Sequence, residues 1–541
     1  MSNEYKEAGD ASAGQVNSAL DSFDHVVVLM LENRSFDNLL GFIYPNGVPS
    51  TAPAGKSFEG ATLAMSNPVP PPPVEQPPDG SGKVYVTRTS DYHQPYPDPG
   101  EEYYHVNVQL FDQPNGGTEY PYNLPDPVPS PAPMDGFVTD YVEKLGEAVS
   151  KPTGPATFAQ YSQIMQCFDP AAVPVLSTLA QQFAVFDHWY CAVPSQTWCN
   201  RAFWHAATSW GRVNNEPYET WFEYNEGRTI FNQIEESGTG LTWKVYHDTP
   251  FVSLTNIIHF RALDGHELHF HSLDRFFEDC ENGDLPSYTF LEPNFILQHN
   301  DYHPSSAGEG LVDYETRAGT VLLGERLVAR IYNAIRTSQG KQGPGGPTGN
   351  TSQNTLLIIT FDEHGGCFDH VPPIEVQPPE LTGYPLQEDF DFARSGIRVP
   401  TIMVSAHIAP NTVINTPMLH SSFLNTVQAK WSAGAPPGAF APLTARQQSA
   451  SLFTEVFTAP QPRPASDWPV VQGPPLPPNA IDAPLDAPLD DLGRSIVGGT
   501  AEMLKRKNLA PPPVEPATKS DAIGYLAQAR AQLDSRARMQ P

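Results

Sequence analysis

Two apolar runs that end abruptly in acidic residues constrain the fold of this chain most strongly. His25–Asn38 reads HVVVLMLENRSFDN, and Thr355–His370 reads TLLIITFDEHGGCFDH. Apolar runs without polar alternation are typical of central parallel strands that are covered by helices on both faces. Both runs therefore predict buried strands, with carboxylates at the point where each strand leaves the core.

Strand and helix patterns alternate along much of the chain. Apolar runs predict further strands, and amphipathic runs predict helices. The predicted strands include LTWKVYHD, PSYTFLEPNF and RVPTIMVSAHIAP, and the predicted helices include Trp198–Ala207 and Tyr314–Arg336. This alternation places the chain in the α/β class, with a mostly parallel central sheet.

Proline-rich segments divide the chain. We expect one catalytic domain over residues 1–432, because large α/β sheets absorb chains of this length. Within it, PVPPPPVEQPP and PDPVPSPAP predict an irregular insertion over about 45–133. Residues 433–541 become rich in Pro and Ala, which predicts an extended C-terminal extension with terminal helices and no second core.

The charge balance limits the partners of the protein. Its 61 acidic and 31 basic side chains give a formal net charge of -30. Such a surface repels nucleic acid, although a bound cation can reverse the field locally for a phosphoester substrate. From Arg494 onward the chain is basic, so this tail is expected to pack across the acidic body, with contact to an anionic lipid surface as the alternative.

The N-terminal segment is polar and acidic and has no signal-peptide pattern. No run approaches the roughly 20 apolar residues of a membrane span. We therefore expect a soluble protein that is cytoplasmic or exported by a signal-independent route. The five cysteines fit neither a disulfide framework nor a zinc ribbon, and we expect most of them to be buried.

The acidic strand ends predict a metal site. The carboxyl ends of parallel strands share one edge of a sheet, where Glu32, Asn33, Asp362, Glu363 and His364 could converge. The first four supply only oxygen, and oxygen ligands suit Ca²⁺ or Mg²⁺ better than Zn²⁺. The alternative is that these acids are ordinary solvated strand ends.

A hydroxyl at the start of a helix could act as the nucleophile beside such a cation. Thr197 precedes the helical run from Trp198, where the helix dipole and free N–H groups suit a phosphoryl oxygen. Coordination to the cation would favour the alkoxide. The alternative is that Thr197 is a plain helix cap, and Ser195 is the rival nucleophile.

Four histidines lie near these segments. His303, on a loop after a predicted strand, could protonate a leaving oxygen. His364 and His370 flank the DEHGG turn and are the other predicted catalytic histidines, and His420 begins a helical run. Any one of the sixteen histidines is more often structural than catalytic, so only their position beside the acidic strands favours these four.

The motifs ENRSFDN, MDGF, TWCNRAFWHAATS, NDYHPSSAGEG and FDEHGGCFDHVPP resemble the phosphoesterase family of bacterial and plant non-specific phospholipases C and related bacterial acid phosphatases. The resemblance runs from about Phe23 to Val427. It implies an alkaline-phosphatase-like α/β/α sandwich, a divalent metal and a phosphorylated Ser or Thr intermediate.

Site residues follow from the matching motifs. Glu32 with Asn33, and Asp362 with Glu363, match the two metal-binding pairs of the family, and Thr197 matches its nucleophile, which would also contact the metal. The predicted substrate-binding residues are Asn200, Arg201 and His420. The predicted cation is Ca²⁺, with Mg²⁺, Mn²⁺ or Zn²⁺ as alternatives.

The chain departs from the family pattern at two positions. Phospholipase-like members read PDPGH where this chain reads PDPGEEYYH, so Glu101 replaces an expected active-site histidine, and His93 or His105 is its predicted substitute. Cys199 replaces a proline before Asn200, which affects the stiffness of the loop more than the chemistry.

These observations predict a metal-dependent phospholipase C that cleaves phospholipid phosphodiesters to diacylglycerol and a phospho-headgroup through a phospho-threonine intermediate. One alternative is an acid phosphatase that acts on phosphomonoesters. A second alternative is a catalytically silent relative that only binds. A phospholipid substrate would require transient contact with a membrane surface, and the sequence makes no prediction about oligomeric state.

Overall fold

The computed structural model of the protein describes most of the chain. The described residues are 16, 19–53, 57–113, 124–125, 127–147, 154–225, 227–248, 252–296, 299–304, 320–476, 485 and 488–537. All statements below refer to these residues.

The two apolar runs of the sequence form adjacent central strands. The strands, in chain order, are β1 (His25–Leu31), β2 (Ser66–Pro68), β3 (Lys83–Tyr85), β4 (Thr87–Thr89), β5 (Gln166–Phe168), β6 (Ala184–Phe186), β7 (Trp189–Tyr190), β8 (Trp243–His247), β9 (Phe270–Ser272), β10 (Tyr288–Glu292), β11 (Gln339–Lys341), β12 (Thr348–Thr351), β13 (Thr355–Phe361), β14 (Thr401–Val404), β15 (Thr412–Ile414) and β16 (Met418–Leu419). Strands β1 and β13 are almost entirely buried, as their apolar composition predicts.

Eight strands form the central sheet in the order β15, β6, β14, β13, β1, β10, β8, β9. All neighbours in this sheet pair in parallel except β14, which is antiparallel to both β13 and β6. In the register of β1 and β13, Leu31 lies opposite Phe361, so the residues that follow these two strands emerge side by side. The prediction of a mostly parallel α/β sheet is therefore confirmed.

Helices cover both faces of this sheet. The α-helices, in chain order, are α1 (Phe36–Leu40), α2 (Tyr103–Phe111), α3 (Phe137–Glu147), α4 (Phe158–Tyr161), α5 (Pro174–Gln182), α6 (Thr197–Ala206), α7 (Tyr218–Tyr224), α8 (Ile230–Glu236), α9 (Leu254–Ile258), α10 (Phe260–Leu263), α11 (Leu273–Asn282), α12 (Thr320–Thr337), α13 (His420–Ser432), α14 (Ala445–Ser449), α15 (Asp491–Arg506) and α16 (Lys519–Ala537). Helix α12 contacts both α5 and α11, and all three helices contact the sheet.

The opposite face carries α6, α8 and α13. Tyr288 of β10 packs against Phe231 of α8 and Phe423 of α13, and Phe290 packs against His205 of α6. Tyr246 of β8 points to the other side, where it packs against Phe276 of α11. The protein is therefore a three-layer α/β sandwich.

The long predicted helix is present in the described residues. It spans Thr320–Thr337, whereas the sequence pattern suggested Tyr314–Arg336, and residues 314–319 lie outside the described part. The predicted strand RVPTIMVSAHIAP is regular only over Thr401–Val404. The five cysteines are free and buried, as expected. Within the described residues, every helix is too short or too polar to cross a bilayer.

The Pro-rich segment 45–133 has few regular elements among its described residues. It contributes the short strands β2, β3 and β4 and the nine-residue helix α2. Helix α2 buries His105 and Gln109 and begins two residues after Glu101. This segment therefore brings side chains to the site described below.

The residues beyond 433 pack on the body of the protein. Phe453 and Trp468 are buried in the main hydrophobic core. Helices α15 and α16 contact each other, and Ile496 and Leu526 are buried in a second core with Trp198. The described residues of the extension are thus docked on the body of the protein.

Candidate active site

The ends of β1 and β13 bring the predicted metal-binding residues together. Glu32 and Asn33 follow β1, and Asp362 and Glu363 follow β13, at the same edge of the sheet. All four are fully buried, so they are not solvated strand ends. The backbone N–H of Asn33 donates to Asp362 Oδ1 over 3.2 Å.

Two tight backbone conformations join these strand ends. Asn33 has φ 56°, a left-handed conformation that asparagine tolerates better than most residues. Gly365 has φ 60°, and a Cβ atom there would lie 2.3 Å from the carbonyl oxygen of Asn33. Only glycine permits this approach, which explains a glycine two residues after Glu363.

Arg201 lies between the carboxylates of the two strands. Its guanidinium forms an ion pair with Glu32 and donates from Nε to Asp362 Oδ2 over 3.3 Å. Nη2 also donates to the Met30 carbonyl over 3.2 Å, while Nη1 has no hydrogen-bond partner among the described residues. The prediction that Arg201 binds substrate therefore has the unpaired Nη1 amino group to support it.

Thr197 is the first residue of α6, and its hydroxyl donates to Glu32 Oε2 over 3.1 Å. The N-cap position belongs to Gln196, so Thr197 is not the plain helix cap of the alternative interpretation. Ser195 Oγ donates to Asn214 over 3.1 Å. The structure thus joins Thr197, and not its rival Ser195, to the carboxylate cluster.

Asn200 holds the loop that leads into α6. Its Oδ1 accepts from the N–H groups of Ala192 and Val193, and its Nδ2 donates to three backbone carbonyls of residues 193–196. Because both polar atoms are engaged with the backbone, a positioning role fits Asn200 better than the predicted substrate contact.

His303 lies beside Asn33 with two acids from the Pro-rich segment. His303 Nε2 is 3.0 Å from Asn33 Nδ2 and 4.0 Å from Glu101 Oε2, and Nδ1 is 3.8 Å from Asp98. Burial alone would lower the pKa of His303, but Asp98 and Glu101 outweigh it and raise that pKa to about 9. The imidazole therefore holds its proton at neutral pH.

Glu101 occupies the position of the histidine that the family pattern predicts. Its Oε2 accepts a hydrogen bond from Asn33 Nδ2. Burial, with the neighbouring Asp98, raises the pKa of Glu101 to about 8. His105, one of the predicted substitutes, is paired with Asp140 over 2.6 Å. Glu101, the residue that replaces the histidine, therefore faces the site itself.

His364 is held as a neutral imidazole. Its Nε2–H donates to Gln109 Oε1 over 2.7 Å, and Nδ1 lies 3.4 Å from Glu363 Oε2 without a hydrogen bond. Burial lowers the pKa of His364 to about 3. This side chain can accept a proton or a hydrogen bond, but it cannot supply a proton at neutral pH.

His420 is oriented by two hydrogen bonds within the protein. Trp189 Nε1 donates to its Nδ1 over 3.2 Å, and its Nε2–H donates to the carbonyl of Asp362 over 2.6 Å. Burial lowers the pKa of His420 to about 4, in keeping with a neutral ring. With both nitrogens engaged, His420 positions Asp362, which fits these contacts better than the predicted substrate binding.

His370 belongs to a separate charged cluster. Its hydrogen bonds go to Asp37 over 2.5 Å and to Glu59 over 3.2 Å. Asp37 and the adjacent Asp369 are paired with Arg398, which fixes the loop after β13 against α1. These contacts favour a positioning role for His370 over the predicted catalytic one.

Sequence reasoning missed Asp98 and Gln109, and it gave Glu101 no role. All three come from the segment 45–133, whose composition predicts an irregular insertion. The departure of PDPGEEYYH from the family pattern was the available signal, because it marked this stretch as part of the site. The pairing of each residue with His303 or His364 depends on contacts across more than 200 positions.

The carboxylate cluster fits a divalent cation. Burial raises the pKa of Glu32 and of Glu363 well above their usual range. Glu32 and Asp362 share the single guanidinium of Arg201, and, within the described residues, Asn33 Oδ1 and Glu363 Oε1 are buried without a hydrogen-bond partner. Unpartnered buried oxygens in an excess of negative charge are what a bound cation would satisfy.

Comparisons with known proteins agree with this geometry. The model of the Phosphoesterase family matches residues 23–433. Non-specific phospholipase C5 of Arabidopsis thaliana is 31% identical over 93% of this chain and 87% of its own length. Non-specific phospholipase C3 of the same organism is 31% identical over 77% of this chain and 68% of its own length. Phospholipase C B of Mycobacterium tuberculosis is 25% identical over 78% and 76%.

Among solved structures, the crystal structure of Ps i-CgsB reaches a TM-score of 0.27 at 15% identity, over 49% of this chain and 67% of its own. That score is too low to inform the fold.

Proposed function

The chain belongs to the Phosphoesterase family, and on this premise we propose that this phosphoric ester hydrolase is a metal-dependent phospholipase C. It cleaves the glycerol side of a phospholipid phosphodiester, which yields diacylglycerol and a phospho-headgroup. The observation that carries the proposal is the hydroxyl of Thr197, which begins α6 and donates to Glu32 at the acidic edge of the sheet.

Thr197 is the proposed nucleophile. Its Oγ1 attacks phosphorus and forms a phospho-threonine, while Glu32 is positioned to take the hydroxyl proton. The bond between phosphorus and the glycerol oxygen breaks in the same step. Arg201 Nη1, which has no hydrogen-bond partner in the described part of the chain, is available to a phosphoryl oxygen at the start of the helix.

His303 is the proposed acid. At neutral pH it carries the proton that the leaving glycerol oxygen needs, because nearby carboxylates raise its pKa to about 9. The neutral imidazole that remains takes a proton from water, which attacks the phospho-threonine and releases the phospho-headgroup. The Thr197 oxygen then recovers its proton from Glu32.

A divalent cation would be held by four side chains, with Thr197 beside it: Glu32, Asn33, Asp362 and Glu363. The cation would stabilise the negative charge that develops on the attacking oxygen of Thr197. We propose Ca²⁺, since the ligands are oxygen atoms only, with Mg²⁺ or Mn²⁺ as replacements and Zn²⁺ as a further alternative.

We also infer that the sandwich is of the alkaline-phosphatase-like type. The support is the arrangement of acids on two adjacent parallel strands around a hydroxyl that begins a helix. This arrangement suits transfer of a phosphoryl group to a side chain whether the substrate is a diester or a monoester. A phosphomonoesterase is therefore the second candidate function, and a silent binding relative is the third.

Thr197→Ala tests the proposal, with Ser195→Ala as the matched control. We expect Thr197→Ala to lower kcat on a chromogenic phosphodiester by at least about 10³-fold, because the attacking atom is removed. Thr197→Ser should keep part of the activity, and Ser195→Ala most of it. Far-UV circular dichroism and Tm check that each variant is folded.

Near wild-type turnover by Thr197→Ala would contradict the assignment of the nucleophile. Assays of the wild type on diester and monoester substrates, each with and without chelator, separate the three functions. A phospholipase C prefers the diester, a phosphatase prefers the monoester, and a binding relative hydrolyses neither.

A further inference from the structure

A second group of metal-ligating side chains lies away from the carboxylate cluster. Glu235 is near the end of α8, and His266 and His269 belong to the turn that leads into β9. One ligand atom from each residue lies within 4.8 Å of the other two. The group is close to Trp243, at the amino end of β8, whereas the candidate active site lies at the carboxyl ends of the strands.

Trp243 orients two of the three ligands. Its carbonyl accepts from His269 Nδ1–H over 2.9 Å, which leaves the lone pair on Nε2, and its indole N–H donates to Glu235 Oε1 over 2.8 Å. The indole is 1% exposed and stacks on the His269 ring at 4.0 Å. Outer hydrogen bonds of this kind fix the tautomer and the direction of a metal-binding histidine.

The distance between the oriented ligands suits a tetrahedral ion. His269 Nε2 is 3.3 Å from Glu235 Oε1. Bonds of about 2.0–2.1 Å in a tetrahedral site place two ligand atoms roughly 3.3 Å apart. Both side chains are partly exposed, at 29% and 38%, so a fourth position is open to water.

We propose that Glu235, His266 and His269 form a site for one transition-metal ion of the Zn²⁺ class. Two imidazoles and one carboxylate select Zn²⁺, Cu²⁺ or Ni²⁺ over Ca²⁺ and Mg²⁺, which is the opposite preference to the oxygen-only cluster. The chain therefore carries two sites of different chemistry, and the second does not depend on the proposed reaction.

The ion would tie α8 to a turn that also holds the C-terminal helices. Lys507, which follows α15, forms an ion pair with Asp264 and donates to Glu267 Oε1 over 3.0 Å. Lys507 therefore holds the turn of residues 264–269 from the side of Asp264 and Glu267. Metal binding on its other side should raise the thermal stability of the whole chain.

Zinc titration of the full-length protein tests this site. Each protein is stripped with chelator, supplied with millimolar MgCl₂ and titrated with ZnCl₂ by calorimetry. The proteins compared are the wild type, Glu235→Gln, His266→Asn and the control His271→Asn. Each comparison is repeated in an Asp362→Asn background, so that Zn²⁺ in the carboxylate cluster is recognised.

We expect one Zn²⁺ event that His266→Asn and Glu235→Gln each weaken by at least about 10-fold and that His271→Asn retains. Zn²⁺ should raise the Tm of the wild type more than that of these two variants, and Cu²⁺ should quench the total tryptophan fluorescence less in His266→Asn than in the wild type. Equal Zn²⁺ affinity, stoichiometry and Tm shift in the wild type and both variants would overturn the proposal, as would a wild type that binds no Zn²⁺.

Discussion

Glu101 and His303 are the residues whose protonation governs the proposed chemistry. They lie beside Asn33 at the edge of the carboxylate cluster. Burial and Asp98 raise the pKa of Glu101 to about 8, while Asp98 and Glu101 raise the pKa of His303 to about 9 against the effect of burial. At neutral pH the carboxyl is therefore uncharged and the imidazole charged, which is the state that an acid catalyst requires.

The pH dependence of kcat tests this pair. An acid works only while protonated, so we expect kcat to fall as the pH rises through about 9, the pKa of His303. Near pH 9 the Glu101 carboxyl is ionised, because its pKa is about 8. Glu101→Gln therefore removes a charge that raises the pKa of His303, and the alkaline limb should move to lower pH by roughly one unit. The measurement is the full pH profile of each variant.

Glu102→Gln is the matched control, because Glu102 lies 3.6 Å from His105 and so belongs to a different pair. Its alkaline limb should stay within experimental error of the wild type. An unshifted limb in Glu101→Gln would mean that a group other than His303 provides the proton.

At the scale of elements, the C-terminal helices support the helix that carries the proposed nucleophile. A Cβ atom on Gly499 of α15 would lie 2.7 Å from the indole of Trp198, the residue after Thr197. Helix α16 buries Leu526 in the same core, and Leu533 packs against its margin. These contacts favour docking on the body of the protein over the alternative of a helix that faces lipid.

Truncation after Pro513 should therefore lower Tm, and Leu526→Ala should cost about 2–5 kcal/mol of unfolding free energy, because a buried side chain leaves a cavity. Val514→Ala is the control, since Val514 is 74% exposed, and it should change stability little. Binding to anionic vesicles is measured in parallel. A truncated protein with unchanged Tm and weaker vesicle binding would restore the lipid-facing alternative.

For the whole molecule, the cation site joins elements that are distant in sequence. Glu32 follows β1, Asp362 and Glu363 follow β13, and Thr197 begins α6. Without a cation, the carboxylates repel one another in a buried site with Arg201 as their shared guanidinium. A bound cation is therefore expected to stabilise the fold as well as to permit turnover.

Removal of the cation tests this expectation by two readouts. A chelator should abolish hydrolysis and lower Tm, and Ca²⁺, Mg²⁺ or Mn²⁺ should restore both better than Cu²⁺ does. Asp362→Asn should weaken the affinity for the cation, since a ligand charge is lost. A chelator loaded with Ca²⁺ serves as the control, and full activity of a demonstrably metal-free preparation would contradict the mechanism.

The sequence by itself determined the two central strands and the acids at their ends. A continuous apolar run must be buried on both faces, and this local requirement places Glu32 and Asp362 at one edge of a parallel sheet. The position of Thr197 at the start of a helix was predictable for the same reason, because helix boundaries depend on local pattern.

Only the tertiary structure decided which partners each side chain meets. Arg201 lies between two strand ends, and Glu101 and Gln109 come to the site from the Pro-rich segment. Both ring nitrogens of His420 are hydrogen-bonded, one to Trp189 and one to Asp362. Such pairs join residues tens to hundreds of positions apart, and their geometry depends on how whole layers pack. The spacing of residues along the sequence therefore does not predict these contacts.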